Sequence, residues 1–496
     1  MPSQSRHVLS LSNRDEAMKF IRDVVDLATD FKLQSEVRKR TSSTDELNLA
    51  IVKDLNFDGQ ELHEILDEFA RDILPDCTNF ASTSFMGFPD SGNSIAGLGA
   101  SVLADFLQQN LINQSICAPS ATFVEIAVIR WLRSVIGYEN APTQSIWDTG
   151  GIVTPGGTSS NTIAMMLARE HKDSSTMSVG VKDPSKYKIV VPKGIGHYSI
   201  KSAQRWLGCG DNLIEVETND FRYDLRALED ALVANSDSIM ALVAYGGDSR
   251  TMTVDNFTEV AKLVRHTAPG IWLHADACHG FSLGFSDTLR TKIDGIENFD
   301  SVSVDPHKVM LVPYTLSALL IRDPNKLKSI TSVSDLIMQE EFAFGQITPF
   351  VGSKSWLSLK LWFMMKNFGS RGLGTMVDER HETAKVFHGL ISQHPRLKPI
   401  NDVEINSVAF MYIGRDSVDL DRINYLTKEI YARVVSEGRY HLHQFSVPDR
   451  GVFEKDKIIH PLRFMSGNPL LEESDMFGLI DYIDEIGQEV EMFPNE

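Results

Sequence analysis

The sequence predicts an α/β protein, with a large domain on a mainly parallel sheet followed by a small α+β C-terminal domain. Three observations predict it. From Ile146 onward, short β-type runs alternate with amphipathic stretches, the pattern of parallel strands joined by right-handed crossovers. Two of those runs end next to an ionisable side chain, at the place where open α/β sheets gather their ligands. After Trp362 the alternation gives way to longer helices separated by isolated apolar runs.

Taken in order, the chain up to about Gly137 reads mostly as helices. Residues 122–135 set Phe123, Ile126, Ile129 and Leu132 at helical spacing, which predicts a helix with one face on the core. Strand-type runs follow at 189–192, 238–245, 270–275, 301–304 and 316–321, with a helix over 256–266 that puts Phe257, Val260 and Leu263 on one side. Beyond Trp362 the pattern predicts helices over 375–391 and 420–437 and from about Glu473, and apolar runs over 407–413 and 460–465. The division expected is a helical segment 1–80, a large domain 81–368 and a small domain 369–496.

Composition bounds the function. A chain of 496 residues, 42% apolar and 23% charged, is an ordinary globular protein with room for more than one domain. Its formal charge of -19 repels phosphate backbones, which argues against a nucleic-acid or anionic-membrane partner. No stretch approaches the roughly 18 apolar residues of a membrane span, and the first residues lack the apolar core of a secretory signal. Cys77, Cys117, Cys209 and Cys278 are scattered with no C-x-x-C pair, so neither a zinc site nor a disulfide framework is expected. A cytoplasmic protein without a metal is the expectation.

Four short motifs carry chemistry. In Ser303-Val304-Asp305-Pro306-His307-Lys308 a lysine follows a strand-type run. Condensed with an aldehyde, such an amine becomes a delivery point for an amine substrate. In Leu273-His274-Ala275-Asp276-Ala277-Cys278-His279-Gly280 an aspartate closes an apolar strand. A satisfied turn carboxylate is the bland reading. The pairing with Lys308 points instead to pyridoxal 5'-phosphate (PLP), whose pyridine nitrogen needs a carboxylate to stay protonated. Thr154-Pro155-Gly156-Gly157-Thr158-Ser159-Ser160-Asn161 opens a helical stretch; close backbone approach, hydroxyls and a helix N-terminus suit a phosphate. In Gly196-His197-Tyr198-Ser199 the flat imidazole of His197 is suited to stack on the cofactor ring.

Together these motifs resemble the group II PLP-dependent amino-acid decarboxylases, which include glutamate and aromatic amino-acid decarboxylases. The resemblance runs from about Phe80 to the C-terminus and also takes in SLKLWF (358–363) and LRFMSGNP (462–469). It implies the aspartate-aminotransferase-like fold (fold type I) and decarboxylation of an L-amino acid to an amine and CO2. It also implies a homodimer with the active site at the subunit interface. By the same resemblance Lys308 is the Schiff-base lysine, Asp276 the pyridinium partner and His197 the stacking histidine. Gly157, Thr158, Ser159 and His307 hold the phosphate, with help from Ser303, and Phe85 lies on the substrate side. The DPHK form looks like that of archaeal tyrosine/aspartate decarboxylases.

Three departures stand out. Family members carry a proton-delivering tyrosine on a loop after the lysine, whereas this chain has no tyrosine between Tyr314 and Tyr412. The corresponding loop (335–350) offers Phe342 and Phe344, and His279 is the candidate substitute donor. In relatives, loss of that tyrosine diverts the reaction to an aldehyde by decarboxylation with oxidative deamination. The family's Gly-Thr-Thr stretch appears as Gly247-Asp248-Ser249-Arg250, which tunes specificity or forms a surface ion pair. Lys354 stands where an arginine is common, and the two cations are not equivalent for bidentate anion binding.

Overall fold

The computed structural model describes residues 8–55, 59–332, 334, 341–415 and 419–492. Seven strands form the central sheet: β1 Gly151–Thr154, β2 Lys188–Pro192, β3 Leu213–Val216, β4 Ile239–Tyr245, β5 Trp272–Asp276, β6 Ser301–Val304 and β7 Ser317–Ile321. Their order is β1-β7-β6-β5-β4-β2-β3. The pairs β5–β6, β4–β5, β2–β4 and β2–β3 are parallel, and only β7 runs antiparallel to its neighbours, β1 and β6. Every residue of β4 to β7 is buried. Helices cover both faces of such a sheet, so its strands read as continuous apolar runs and not as alternation.

The amphipathic stretches supply those covering helices. The helix Phe257–Thr267 buries Phe257, Val260, Ala261 and Val264, and Asn256 caps it by accepting from the Glu259 N–H at 3.2 Å. The helix Gly157–Lys172 is buried from Ser160 to Glu170 and lies against β6, β7 and the helix Tyr198–Trp206. It begins immediately beyond β1 with a glycine pair, because a side chain at Gly157 would put its Cβ 2.8 Å from Asp305 Oδ2 and 2.9 Å from Cys278 Sγ.

The 36-residue helix Ser358–Gln393 leads from the large domain into the small one, interrupted at Gly369, whose φ of 64° is left-handed. It extends well upstream of the helix expected over 375–391. The small domain carries four antiparallel strands, β8 Leu397–Pro399, β9 Ser407–Tyr412, β10 His443–Gln444 and β11 Leu462–Met465, ordered β8-β9-β11-β10. The helices Leu420–Glu437 and Glu473–Met492 pack with them around Phe387, Phe410 and Phe464. The segment around Met86 joins this core: Met86 N–H donates to the His441 carbonyl and its own carbonyl accepts from Met465 N–H at 2.7 Å. Among the described residues, no helix is long and apolar enough to cross a membrane.

Phe387 stacks on Phe464 with ring centroids 3.9 Å apart and meets Phe410 edge-on at 5.8 Å. Phe387→Ala is expected to cost about 3–5 kcal/mol, through lost burial and the cavity left behind. Calorimetry of the full chain should show this as a clear fall in transition temperature.

Candidate active site

The parallel strands β4 and β5 and the parallel strand β6 end at one edge of the sheet, and the site is built there. Asp276 is the last residue of β5, opposite Tyr245 at the end of β4 and Ser303 in β6. Four residues beyond β6, Lys308 sits in the short helix Pro306–Val309. Asp276 and Lys308 line one cavity of about 290 Å³, together with Gly157, Thr158, His197, His279 and His307. A larger groove of about 700 Å³, lined by Trp131, Phe285, Arg290, Arg371 and Asp378, holds none of these groups. Chemistry and not size therefore locates the site.

A chain of buried hydrogen bonds orients Asp276. Trp272 Nε1 donates to Ser301 Oγ at 2.8 Å, and Ser301 Oγ lies 2.8 Å from His274 Nδ1. His274 Nε2 is 3.0 Å from Asn161 Oδ1, and Asn161 Nδ2 donates to Asp276 Oδ2 at 2.9 Å and to Ser199 Oγ at 2.8 Å. Burial pushes His274 down to about 4, so the ring is neutral near pH 7. An ionised carboxylate only accepts, so Asn161 must turn its amide nitrogen to Asp276 and its oxygen to His274. The proton of His274 is then on Nε2, and Nδ1 accepts from Ser301. Cys278 N–H reaches the second Asp276 oxygen at 3.4 Å.

His197 caps the helix Tyr198–Trp206, its Nδ1 2.7 Å from Ser199 Oγ. Its backbone N–H donates to the Tyr245 hydroxyl at 2.8 Å. The imidazole is thereby tied to the same serine that Asn161 holds. Burial lowers its pKa, against the raising influence of Asp276.

At the opposite wall, Lys308 Nζ is 3.0 Å from Asp305 Oδ2, and about a quarter of the Lys308 side chain is exposed while Asp305 is buried. Burial alone would lower the Lys308 pKa; the charge of Asp305 overrides it and holds the amine above its ordinary value. Burial raises and Lys308 lowers Asp305, and the ion pair prevails. His307 Nε2 lies 3.9 Å from the same carboxylate oxygen.

Several residues singled out in the sequence lie elsewhere. Ser159 is not among the side chains that line the cavity; its N–H bonds to the Gly156 carbonyl. Ser303 Oγ faces His274 Nε2 at 3.5 Å inside the sheet. Phe85 is one ring removed: it stacks on His441 and contacts Phe80, which meets the cavity residue Tyr314. Among the described residues Asp248 forms no surface ion pair. It is buried and organises its own turn, accepting from the N–H groups of Arg250, Thr251 and Thr253. Lys354 is buried against Glu125 at 3.0 Å and donates to the Val153 carbonyl, so its charge is occupied within the chain. Residues 335–340 of the loop after the lysine lie outside the described residues. Phe342 packs on Phe123, and Phe344 is fully buried. Asn161, His274 and Asp305 stand inside the motifs, but the sequence alone assigns them no role. Helical spacing was the available signal for Asn161, four residues after Gly157 on the same face.

The residues fit PLP. The cavity offers a carboxylate for the ring nitrogen, an amine for the aldehyde and, where the glycine pair opens the helix Gly157–Lys172, a place for an anion. Two buried polar atoms, Asp305 Oδ1 and His279 Nε2, have no hydrogen-bond partner among the described residues, as expected of a site made for a polar ligand.

Fold and site together define a PLP enzyme of fold type I. Residues 47–413 match the model of the pyridoxal-dependent decarboxylase conserved domain, and the chain belongs to that family. It is 23% identical to an aromatic-L-amino-acid decarboxylase of Bacillus atrophaeus, over 94% of each chain. It is 26% identical to a phenylacetaldehyde synthase of Arabidopsis thaliana, over 84% of each. The crystal structure of mouse CSAD in apo form superposes with a TM-score of 0.85 at 22% identity, covering 95% of this chain and 99% of that one. The protein is thus a PLP-dependent carboxy-lyase.

Asn161→Leu keeps the side-chain volume but removes the donor to Asp276 and the acceptor for His274. Loss of a charged hydrogen bond of about 1.5–3 kcal/mol should weaken PLP binding roughly 10- to 100-fold, measured by spectroscopic titration of the cofactor-free protein.

Proposed function

We propose that the protein decarboxylates an L-amino acid to the corresponding amine and CO2, with Lys308 as the residue that carries the cofactor. The observation that carries this reading is the presence of Asp276 and Lys308 on one cavity of ring-binding size. Bound PLP supplies the electron sink for the pair left when the bond from Cα to the carboxylate breaks. The protein's residues do the rest. Asp276, oriented by Asn161, holds a proton on the ring nitrogen. His197, fixed by Ser199, would stack on the ring, and Thr158 and His307 would receive the phosphate beside the Gly157 turn.

A second reading rests on the lack of a tyrosine between Tyr314 and Tyr412 and on the kinship to a phenylacetaldehyde synthase. In it the same bond breaks but the product is an aldehyde, with release of ammonia and peroxide.

The working unit we propose is a cytoplasmic homodimer. The helices Arg14–Lys32, Thr44–Ile51 and Leu62–Glu68 bury no residue in the single chain. The helix Ile95–Leu107 leaves Ile95 89% and Phe106 53% exposed. A second copy of the chain is the natural cover for these apolar faces.

Amino acids offered with PLP should release CO2, and assaying amine, ammonia and peroxide in the same reaction decides between the two products. Lys308→Ala should lower turnover by roughly a thousandfold or more. Full turnover in that variant would overturn the assignment.

A further inference from the structure

Asp276 has a role at the ring nitrogen, but the cavity holds a second buried carboxylate, Asp305, that this role does not use. Its Oδ2 lies 3.0 Å from Lys308 Nζ and 3.9 Å from His307 Nε2, and its Oδ1 has no hydrogen-bond partner among the described residues. Both oxygens also lie within 3.0 Å of where a Cβ on Gly157 would sit, so the carboxylate borders the turn that receives the anion. The placement is fixed by the chain: Asp305 N–H bonds to the Cys278 carbonyl, and Lys308 N–H bonds back to the Asp305 carbonyl.

We infer that Asp305 is the resting seat of the Lys308 amine whenever that amine is not covalently engaged, holding it as an ammonium and setting the pH at which it can react. The inference rests on Lys308 being the cofactor lysine. An ammonium has no lone pair, so Nζ must first lose a proton before it bonds to the aldehyde carbon. Dehydration then expels the former carbonyl oxygen as water, and the freed proton returns to the nitrogen or to solvent. No oxidant or reductant is needed. An ion pair with a buried carboxylate makes the first loss harder, and it gives the amine a defined place to return to when a substrate amine displaces it. Asp305 is in this sense a positioning residue.

The other groups facing Lys308 do not perform this task. Cys278, just beyond β5, and Asp276, at its end, also raise its pKa, but less than Asp305 does. His197, His279 and the buried Asp90 also feel the charge of Lys308. Burial depresses both of those histidines, so neither adds a competing cation near neutral pH. His307 faces Asp305 from the other side and shares the same oxygen at a longer distance.

The test follows PLP uptake by the full-length, cofactor-free chain with stopped-flow absorbance from about pH 6 to about pH 10. In the wild type the condensation rate should climb about tenfold per pH unit across most of this range, because only the scarce neutral amine reacts. Asp305→Asn removes the counterion, so the climb should move at least about one unit lower, with condensation at least about tenfold faster near neutral pH. Asp305→Glu should restore the wild-type profile. Pyridoxamine 5'-phosphate, which has no aldehyde, should bind Asp305→Asn no more weakly than wild type, which separates this effect from damage to the fold. A wild-type rate that levels off below about pH 8, or identical profiles for wild type and Asp305→Asn, would overturn the inference while leaving cofactor binding intact. No PLP uptake by the wild type at any pH would instead sink the cofactor assignment itself.

Discussion

Neighbouring strands that run the same way must end at the same edge of their sheet, and the site depends on that constraint. The strands β5 and β6 are hydrogen-bonded parallel neighbours, with Asp276 opposite Ser303. Whatever follows each strand therefore emerges on one side of the molecule. Asp276 ends its strand, and the four residues after Val304 bring Lys308 back over the same cavity. Residues 32 positions apart in sequence thereby meet across a space that holds one small aromatic ring. Gly157 completes the enclosure, because its missing side chain lets the neighbouring helix approach Cys278 and Asp305.

Strand ends and glycine turns were legible in the sequence because they leave one-dimensional marks. An apolar run stops, an ionisable residue follows, and a glycine pair opens a helix. Asp276, Lys308, Gly157 and Thr158 come from such marks, and together with His197 they line the cavity. Side-chain partnerships leave no such mark. Nothing in the sequence says that His274, buried within β5, would grip Asn161 from the helix beyond β1, since the contact depends on how that helix lies across the sheet. The family resemblance gives Ser303 a supporting phosphate role. In the fold its hydroxyl instead faces the buried His274 ring at 3.5 Å. The reversed direction of β7 was equally invisible, because a buried strand reads alike either way.

Two charges that attracted functional interest turn out to brace the scaffold. Lys354 and Glu125 form a pair in the interior, with the lysine also bonded to the Val153 carbonyl and Glu125 accepting the Val153 N–H. The pair thus clamps β1, the strand that launches the glycine turn. Asp248 likewise gathers three backbone N–H groups of its own turn, just beyond the end of β4. Buried charges are costly, and these two order segments that must be placed accurately. Here both segments border the cavity.

The charge balance inside the cavity argues for what Asp276 must meet. Burial keeps His197 and His279 below their ordinary pKa, so neither brings a cation there near neutral pH. Asp305 is already matched by the Lys308 ammonium. Asp276 is oriented by the neutral amide of Asn161 and a backbone N–H, and no cation among the described residues stands within ion-pair distance of it. A carboxylate only 6% exposed and left in that condition is electrostatically incomplete. In the proposed function, a protonated pyridine nitrogen of bound PLP would supply the missing positive charge, and the ring would supply the electron sink. Orientation by the neutral partners Asn161 and Cys278 N–H would therefore leave the Asp276 carboxylate free to meet the cofactor in the proposed function.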